Sequence, residues 1–282
     1  MTLYKKKSDL FEKINDIKGK NLIIGLVPTM GSLHKGHLSL VERSLEENDY
    51  TIVSIFINPT QFNDKKDLDS YPKNLIDDCR YLESLSSDII IFSPDIDEIY
   101  DKNLSVKQFD FQGLDKFMEG EYRKGHFEGV ATVVSHLFKI VRPNKAYFGE
   151  KDYQQLRIIQ QLVIQNNIPV NVIGCKTIRE YDGLALSSRN AKLDLHSRKI
   201  ASKIFEAINF CRDNYKSKDL EKIINDIDIF FKNISEIELE YFIIADSETL
   251  TPVKKITKDK QYRVFIAVRI DEVRLIDNIE LN

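Results

Sequence analysis

The chain has 282 residues, 42% of them hydrophobic, which is enough for one large or two ordinary domains with buried cores. Its 41 basic and 44 acidic residues leave a net charge of -3, so the sequence carries no electrostatic footprint for binding nucleic acid. No apolar run approaches the roughly 20 residues of a membrane span, and the amino-terminal segment lacks the apolar core of a signal peptide.

The three cysteines, Cys79, Cys175 and Cys211, are widely spaced and fit neither a metal-binding nor a redox motif. This usage is typical of proteins from a reducing compartment. We therefore expect a soluble, cytoplasmic protein with no membrane or nucleic-acid partner.

Apolar runs and amphipathic stretches alternate between residue 21 and about residue 175. The strand-like runs cover residues 22–27, 51–57, 88–92, 146–148 and 169–174. The helical patterns cover residues 36–47, 74–84, 130–141 and 151–166. This alternation predicts an α/β domain with a Rossmann-like parallel sheet, helices on both faces, and ligands at the carboxyl ends of the strands. The acidic segment 95–101 is expected to form a solvated turn.

The pattern changes after Cys175. A polar, glycine-containing segment leads into two helical patterns and then three strand-like runs, at residues 177–194, 196–215, 220–234, 238–245, 262–269 and 272–277. Helices followed by strands predict a smaller carboxyl-terminal α+β domain. The expected domains are therefore residues 1–176 and 177–282.

Residues 28–37, with the sequence PTMGSLHKGH, lie where a predicted strand turns into a helix. Gly31 and Gly36 allow a ligand to approach the backbone closely, and the first amides of the helix should point unpaired at that ligand. His34 and His37 are three residues apart and would face the same ligand. These features favour a triphosphate site. Two alternatives stay open: the histidines only bond their neighbours, or they bind a metal ion, which lacks a third ligand here.

The PTMGSLHKGH segment resembles the adenine-nucleotide signature of the pantothenate synthetase family, which belongs to the HIGH-type nucleotidylyl transferases. Other segments match the same family in the same order, so the resemblance covers essentially the whole chain. They are FINPTQF (56–62), YP (71–72), GHF (125–127) with GV (129–130), FGEKDYQQ (148–155), DGLALSSRN (182–190) and RLIDN (274–278). Lys124 and Tyr181 depart from the family pattern, but both lie beside motifs and concern only loop geometry.

The resemblance implies a first domain that binds nucleotide and pantoate and a carboxyl-terminal lid domain. It assigns an ATP site to Met30, Gly31, Ser32, Leu33, His34, Lys35, Gly36, His37, Gly149, Glu150, Lys151, Asp152, Ile178, Leu186, Ser187, Ser188 and Arg189. Without it, Lys151 would be interpreted as a solvated lysine and residues 187–189 as a turn. Within this site, the LSSR segment resembles the mobile KMSKS-type element that closes on the leaving pyrophosphate.

The activity implied by the resemblance is the ATP-dependent condensation of (R)-pantoate with β-alanine, on the coenzyme A pathway. It proceeds through a pantoyl-adenylate and gives pantothenate, AMP and pyrophosphate. His34, His37 and Lys151 are the implied catalytic residues. The implied substrate contacts are Gln61 and Gln155 for pantoate, with Gln61 also near β-alanine. Asn58 and Arg123 are additional candidates. The family also implies a homodimer.

Magnesium is expected to enter with ATP and to bridge its phosphates. Asp77 and Asp78 are the candidates for direct ligands, but adjacent residues on a helix diverge by about 100° and rarely share one ion. We therefore predict no protein ligand to the metal.

Two other functions stay open at this point. One is a different nucleotidylyltransferase of the HxGH superfamily, which would transfer the nucleotide to a phosphorylated acceptor and stop there. The other is a non-catalytic nucleotide-binding protein, although the presence of both histidines, Lys151 and Arg189 disfavours it.

Overall fold

The computed structural model describes residues 1–100 and 104–281. It divides into two compact units, each built from more than one stretch of chain. The first unit consists of Met1–Phe111, Arg123–Glu150 and Gln155–Lys176. The second consists of Gln112–Tyr122, Lys151–Gln154 and Thr177–Asn282.

A six-stranded sheet forms the first unit, and all of its strand pairs are parallel. Its strands are β1 (Thr2–Tyr4), β2 (Ile24–Thr29), β3 (Tyr50–Ile55), β4 (Ile90–Phe92), β5 (Lys145–Gly149) and β6 (Asn171–Cys175). The strand order is β1-β4-β3-β2-β5-β6. From β2 the chain passes to β3 and β4 on one side and then to β5 and β6 on the other, while β1 lies at the edge beside β4. A crevice for ligands is expected where the direction changes, beyond the carboxyl ends of β2 and β5.

Eleven α-helices occur in the described part of the chain. They are α1 (Lys7–Gly19), α2 (Lys35–Glu47), α3 (Lys65–Asp69), α4 (Leu75–Glu83), α5 (Ile96–Tyr100), α6 (Glu119–Tyr122), α7 (His126–Val141), α8 (Tyr153–Gln165), α9 (Leu195–Ala201), α10 (Lys203–Asn214) and α11 (Leu220–Lys232). Helices cover both faces of the parallel sheet, so the predicted α/β class is confirmed. The core is made of the strands' apolar side chains, with Leu26, Val27, Ile52, Val53 and Ile91 fully buried.

The second unit has a three-stranded antiparallel sheet in the order β7-β8-β9. These strands are β7 (Ile237–Asp246), β8 (Tyr262–Ile270) and β9 (Val273–Leu281). Helix α11 packs on β7, and α10 packs on β8 and β9. The predicted α+β character of this region is thus confirmed.

The structure differs from the predicted elements in two places. The predicted helix 196–215 is broken at Ser202, whose hydroxyl donates to the carbonyl oxygen of Lys199 at 2.7 Å and so competes with the helical backbone bonds. The predicted turn at 95–101 is wrong, because residues 96–100 form α5; Asp101 lies outside the described residues.

Candidate active site

The loop after β2 is held by a carboxylate from a distant helix. Gly31 has a φ of 80° and Ser32 a φ of 52°, so the backbone turns through the left-handed region that favours glycine. Asp78 of α4 accepts hydrogen bonds from the amides of Ser32 at 2.9 Å and Leu33 at 2.7 Å. Burial raises the pKa of Asp78, and the two amides oppose that rise. Asp78 therefore shapes the loop, a role that no local sequence signal indicated.

The two histidines of the loop cap helix α2 reciprocally. Nδ1 of His34 accepts from the amide of Gly36 at 3.1 Å, and Nδ1 of His37 accepts from the amide of His34 at 3.3 Å. The ring centroids lie 4.0 Å apart. Because a backbone amide can only donate, each neutral ring must carry its proton on Nε2. One edge of each imidazole thus serves the helix, and the other edge is a hydrogen-bond donor.

The expectation of unpaired amides in this loop needs correction. The amides of Ser32 and Leu33 are bound by Asp78, and those of Gly36 and His37 by Nδ1 and the carbonyl oxygen of His34. In this conformation these four amides are occupied within the chain. The imidazole Nε2–H groups are the better candidates for contacts with an anion.

Gln61 lies beside this loop, on the short 3-10 helix Pro59–Gln61 after β3. Its Oε1 accepts from Nδ2 of Asn58 at 3.4 Å, and its Nε2 donates to the thioether sulfur of Met30. The amide orientation of Gln61 is therefore defined by its two neighbours. Asn58, another predicted substrate contact, is buried, with 1% of its surface exposed.

The side-chain amide of Asn58 forms hydrogen bonds within the protein. Its Nδ2 also donates to the carbonyl oxygen of Gly129 at 3.1 Å, and its Oδ1 accepts from the hydroxyl of Tyr100 at 2.7 Å. A Cβ at Gly129 would lie 2.3 Å from the carbonyl oxygen of Thr60, so helix α7 can approach this loop only with glycine at that position. The substrate contact of Asn58 stays a prediction, whereas its support of Gln61 is visible.

Arg123 also reaches the backbone of this loop. Its Nη2 donates to the carbonyl oxygen of Gln61 at 3.3 Å. The structure thus brings together four of the predicted site residues in the first unit, namely Met30, Asn58, Gln61 and Arg123. Gln155 is half-buried on α8. Gly149 is the last residue of β5, and Glu150 is the first residue of the 3-10 helix Glu150–Asp152.

Lys151 and Asp152 belong to the second unit, where their environment is distinct. The carbonyl oxygen of Lys151 accepts from Nδ2 of Asn278 at 2.8 Å, and its Nζ lies 3.7 Å from Oδ1 of Asp152. Asp277, fully buried in β9, is bound by Arg179. The RLIDN motif therefore supports the lysine that follows β5, a function that its sequence did not reveal.

The predicted LSSR element lies in the same unit. The amide of Leu186 donates to the carbonyl oxygen of Ile178 at 3.0 Å, so these two predicted contacts are neighbours. The hydroxyl of Ser187 accepts from the amide of Arg189 at 3.3 Å and caps the 3-10 helix Ser188–Lys192. Residues 186–189 are half-buried.

Two kinds of feature are absent from residues 1–100 and 104–281: a group of three metal-binding side chains and a helix that could cross a membrane. In these ranges no three histidine, cysteine, aspartate or glutamate side chains cluster so as to hold a metal ion. No helix in them has the length and apolar character needed to cross a bilayer.

Comparison with known proteins shows which family this chain belongs to. A family model described as pantoate-beta-alanine ligase matches residues 2–280. The pantothenate synthetase of Christiangramia forsetii is 49% identical over 282 residues and covers 100% of both chains. The chain belongs to the pantoate–β-alanine ligase family. It is thus a ligase of pantothenate biosynthesis, and the predicted family is confirmed.

Further members of the pantoate–β-alanine ligase family support the match. The pantothenate synthetase of Flavobacterium psychrophilum is 44% identical, with 100% of both chains covered. The crystal structure of pantothenate synthetase from Thermus thermophilus matches with a TM-score of 0.92 at 37% identity, covering 100% of this chain and 99% of that one. The ligase from Francisella tularensis, complexed with beta-gamma ATP and beta-alanine, matches with a TM-score of 0.82 at 39% identity, covering 99% and 97%.

Proposed function

We propose that this ligase joins (R)-pantoate to β-alanine through a pantoyl-adenylate and releases AMP and pyrophosphate. Family membership supports the two substrates, and the Francisella relative is complexed with beta-gamma ATP and beta-alanine. The observation that carries the adenylate step is the reciprocal cap of His34 and His37. Because both Nδ1 atoms accept hydrogen bonds from backbone amides, the cap places two Nε2–H donors at the amino terminus of α2, which follows the carboxyl end of β2.

In the first step the carboxylate of pantoate attacks the α-phosphorus of ATP, and pyrophosphate leaves. A carboxylate is ionised at neutral pH, so the step needs no general base. It needs fixed donors where negative charge develops, and each such donor typically contributes about 10²- to 10³-fold. We assign this task to His34, His37 and Lys151, with Ser188 and Arg189 closing on the leaving group.

The ATP site that we propose consists of the three sequence motifs given above, from Met30 to His37, from Gly149 to Asp152, and Ile178 with residues 186–189. Magnesium would enter with ATP and neutralise phosphate charge. The described residues offer it no cluster of ligands, and Asp78 is committed to loop amides. Magnesium usually keeps several waters and binds substrate phosphates, so we propose on that ground that substrate oxygens and water hold the ion.

Pantoate is proposed to bind at Gln61 and Gln155, with Asn58 and Arg123 close by. The Nε2 group of Gln61 donates to the sulfur of Met30, and a thioether is a weak acceptor. A substrate oxygen would replace that contact with a stronger one. Replacing the Gln61–Met30 contact by a hydrogen bond to pantoate should therefore cost little free energy.

In the second step the amine of β-alanine loses a proton and attacks the acyl carbon of the adenylate. The new amide bond forms as the bond to AMP breaks, and the nitrogen loses its second proton; both protons pass to solvent. Because only the deprotonated amine is nucleophilic, this step should accelerate with pH more steeply than adenylation does. We also propose that the enzyme is cytoplasmic, from its cysteine usage, and, from the family resemblance alone, that it is a homodimer.

Product analysis tests the proposal. The protein is incubated with ATP, Mg²⁺, (R)-pantoate and β-alanine, and nucleotides and pantothenate are quantified together. We expect AMP, pyrophosphate and pantothenate in equal amounts. Formation of ADP and phosphate, or nucleotide transfer without an amide product, would contradict it.

A further inference from the structure

The carbonyl oxygen of Gln61 is held by a buried imidazole that the proposed mechanism does not use. His126, the first residue of α7, has 6% of its surface exposed. Its Nδ1 lies 2.8 Å from the carbonyl oxygen of Gln61, and its Nε2 lies 3.2 Å from Nη1 of Arg123. Arg123 in turn donates to the same carbonyl oxygen. The three residues thus form a closed ring of hydrogen bonds.

The chemistry of the two partners determines the tautomer of His126. A guanidinium can only donate and a carbonyl oxygen can only accept. Nε2 must therefore accept from Arg123, and Nδ1 must carry the proton that it donates to Gln61. This is the opposite tautomer to that of His34 and His37, whose Nδ1 atoms accept from backbone amides. A second proton on His126 would face the guanidinium with another donor, so the arrangement selects the neutral ring.

The consequence of this arrangement falls on Gln61. Two donors hold its backbone carbonyl, Asn58 holds its Oε1, and the close approach at Gly129 leaves the loop no room to shift towards α7. Its Nε2 is left with the weak sulfur acceptor of Met30. The backbone carbonyl and Oε1 of Gln61 are therefore held in place, and Nε2 is the group that can exchange its weak partner for a substrate oxygen.

We propose that His126 is a positioning residue, whose neutral Nδ1–H tautomer locks Gln61 and Arg123 so that the Gln61 amide is aimed at a carboxylate- or hydroxyl-bearing substrate. His126 itself contacts no substrate. The inference deepens the proposed function and rests on it for the identity of that substrate as pantoate. The lock itself is a property of the free protein.

Three substitutions separate the donor from the shape of the ring. In His126→Asn the side-chain amide nitrogen can occupy the place of Nδ1 and keep the bond to Gln61. In His126→Gln the amide lies nearer to the place of Nε2, and in His126→Phe the ring shape stays without any donor. Loss of a buried partner predicts that His126→Phe weakens pantoate binding about ten-fold, while ATP binding changes less than about two-fold. His126→Asn should restore most of the pantoate affinity.

Calorimetric titration of pantoate and ATP into each variant measures this split, with thermal unfolding as the check on folding. Unchanged pantoate affinity in His126→Phe, or equal losses for both ligands, would overturn the proposal. If His126→Phe does not fold, His126→Asn and His126→Gln are compared instead. His126→Asn should keep its affinity for pantoate and His126→Gln should lose it. Equal affinities or the reverse order would overturn the proposal.

The tautomer can be measured with no ligand present. Two-bond ¹⁵N–¹H correlation spectra of the wild-type imidazoles, assigned with His126→Asn, should show His126 protonated at Nδ1 and His34 and His37 protonated at Nε2. A His126 signal protonated at Nε2 would overturn the lock whatever the enzyme binds. A correct tautomer in a protein that binds no pantoate would instead count against the proposed function, and with it against the substrate named here.

Discussion

The imidazoles of this protein differ in whether Nδ1 accepts or donates a hydrogen bond. His34 and His37 accept at Nδ1, whereas the carbonyl oxygen of Gln61 requires His126 to donate there. The HxGH spacing predicts the first pair as part of a phosphate site, which stays a prediction, and the structure places the two rings together. The role of His126 was not predictable, because it lies 65 residues along the chain from Gln61 and the two meet only in the fold.

Substitution of His34 by asparagine separates helix capping from chemistry. Asparagine is a strong cap residue whose Oδ1 can accept from the amide of Gly36, but it has no equivalent of Nε2–H. We expect His34→Asn to unfold like the wild type while adenylation falls about 10²- to 10³-fold. His34→Ala should lose adenylation as well and cost about 1 kcal/mol of stability. Single-turnover adenylation and urea unfolding measure the two effects; near-normal adenylation in His34→Asn would refute the assignment.

At the scale of elements, helix α7 and the loop after β3 illustrate how a glycine positions a site. A methyl group at Gly129 would collide with the backbone of Thr60 and lie 3.0 Å from the amide nitrogen of Gln61. Backbone cannot move as a side-chain tip can, so the loop itself must shift.

We expect Gly129→Ala to destabilise the protein by about 1–3 kcal/mol and to weaken pantoate binding more than ATP binding. Gly19→Ala is the matched control, because a Cβ at Gly19 meets nothing within 4 Å. Urea unfolding and equilibrium binding provide the comparison. Equal behaviour of the two variants would show that the close approach does not position Gln61.

The end of helix α2 is anchored to β5 through Glu47. Its carboxylate accepts from Nε of Arg43 at 2.9 Å, from the hydroxyl of Tyr147 at 3.0 Å and from Nζ of Lys145 at 3.3 Å. The hydrogen bond from Arg43, followed by that from Tyr147, lowers the pKa of Glu47 to about 2.

A lowered pKa makes the stabilisation by Glu47 dependent on pH in a defined direction. The contribution is fully present above the unfolded value of 4.5 and is lost as the pH falls towards about 2. The stability difference between wild type and Glu47→Gln should therefore be constant above about pH 5 and shrink below it. Urea unfolding of both proteins from pH 7 to pH 2.5 measures this difference; a gap that widens on acidification would contradict the assignment.

How far the elements could be predicted depended on whether their signal was local. The buried parallel strands and the amphipathic helices α2, α4 and α7 have strong periodic patterns and occur where expected. Strand β1 has three residues and exists through its pairing with β4, so no periodicity could reveal it. The same holds for Asp78, which reaches the loop after β2 from 45 residues away.

At the scale of the whole molecule, the two compact units do not follow the chain in simple order. Gln112–Tyr122 and Lys151–Gln154 join the second unit, although the sequence pattern places one boundary after residue 176. Side-chain contacts explain this grouping: Nε2 of Gln154 donates to the carbonyl oxygens of Leu114 and Phe117. Because these contacts are distant in sequence, composition and periodicity could not indicate them. The predicted domains, 1–176 and 177–282, stay a prediction.

A buried ion pair holds the first of these segments within the second unit. Both oxygens of Glu119 accept from Arg274 at 2.7 Å, and Oε1 also accepts from the hydroxyl of Tyr241 at 2.8 Å. The carboxylate raises the pKa of Arg274 against the effect of burial. Removing one partner leaves a buried charge uncompensated, which typically costs about 3–5 kcal/mol.

We expect Glu119→Ala to cost about 3 kcal/mol, the lower end of that range, because Arg274 keeps a second partner in Glu240. Glu121→Ala on the same helix is the control, since Glu121 is exposed and should change stability by less than about 0.5 kcal/mol. Equilibrium unfolding of the two variants decides; similar losses in both would mean that the ion pair contributes little.

Isotope exchange between labelled pyrophosphate and ATP tests most directly whether a pantoyl-adenylate forms before β-alanine reacts. We predict that exchange requires the enzyme, Mg²⁺ and pantoate but proceeds without β-alanine, and that Arg189→Ala slows it. Because the groups assigned to phosphate stabilisation act before the amine enters, the amine should be dispensable. Exchange that depends strictly on β-alanine would contradict the adenylate mechanism.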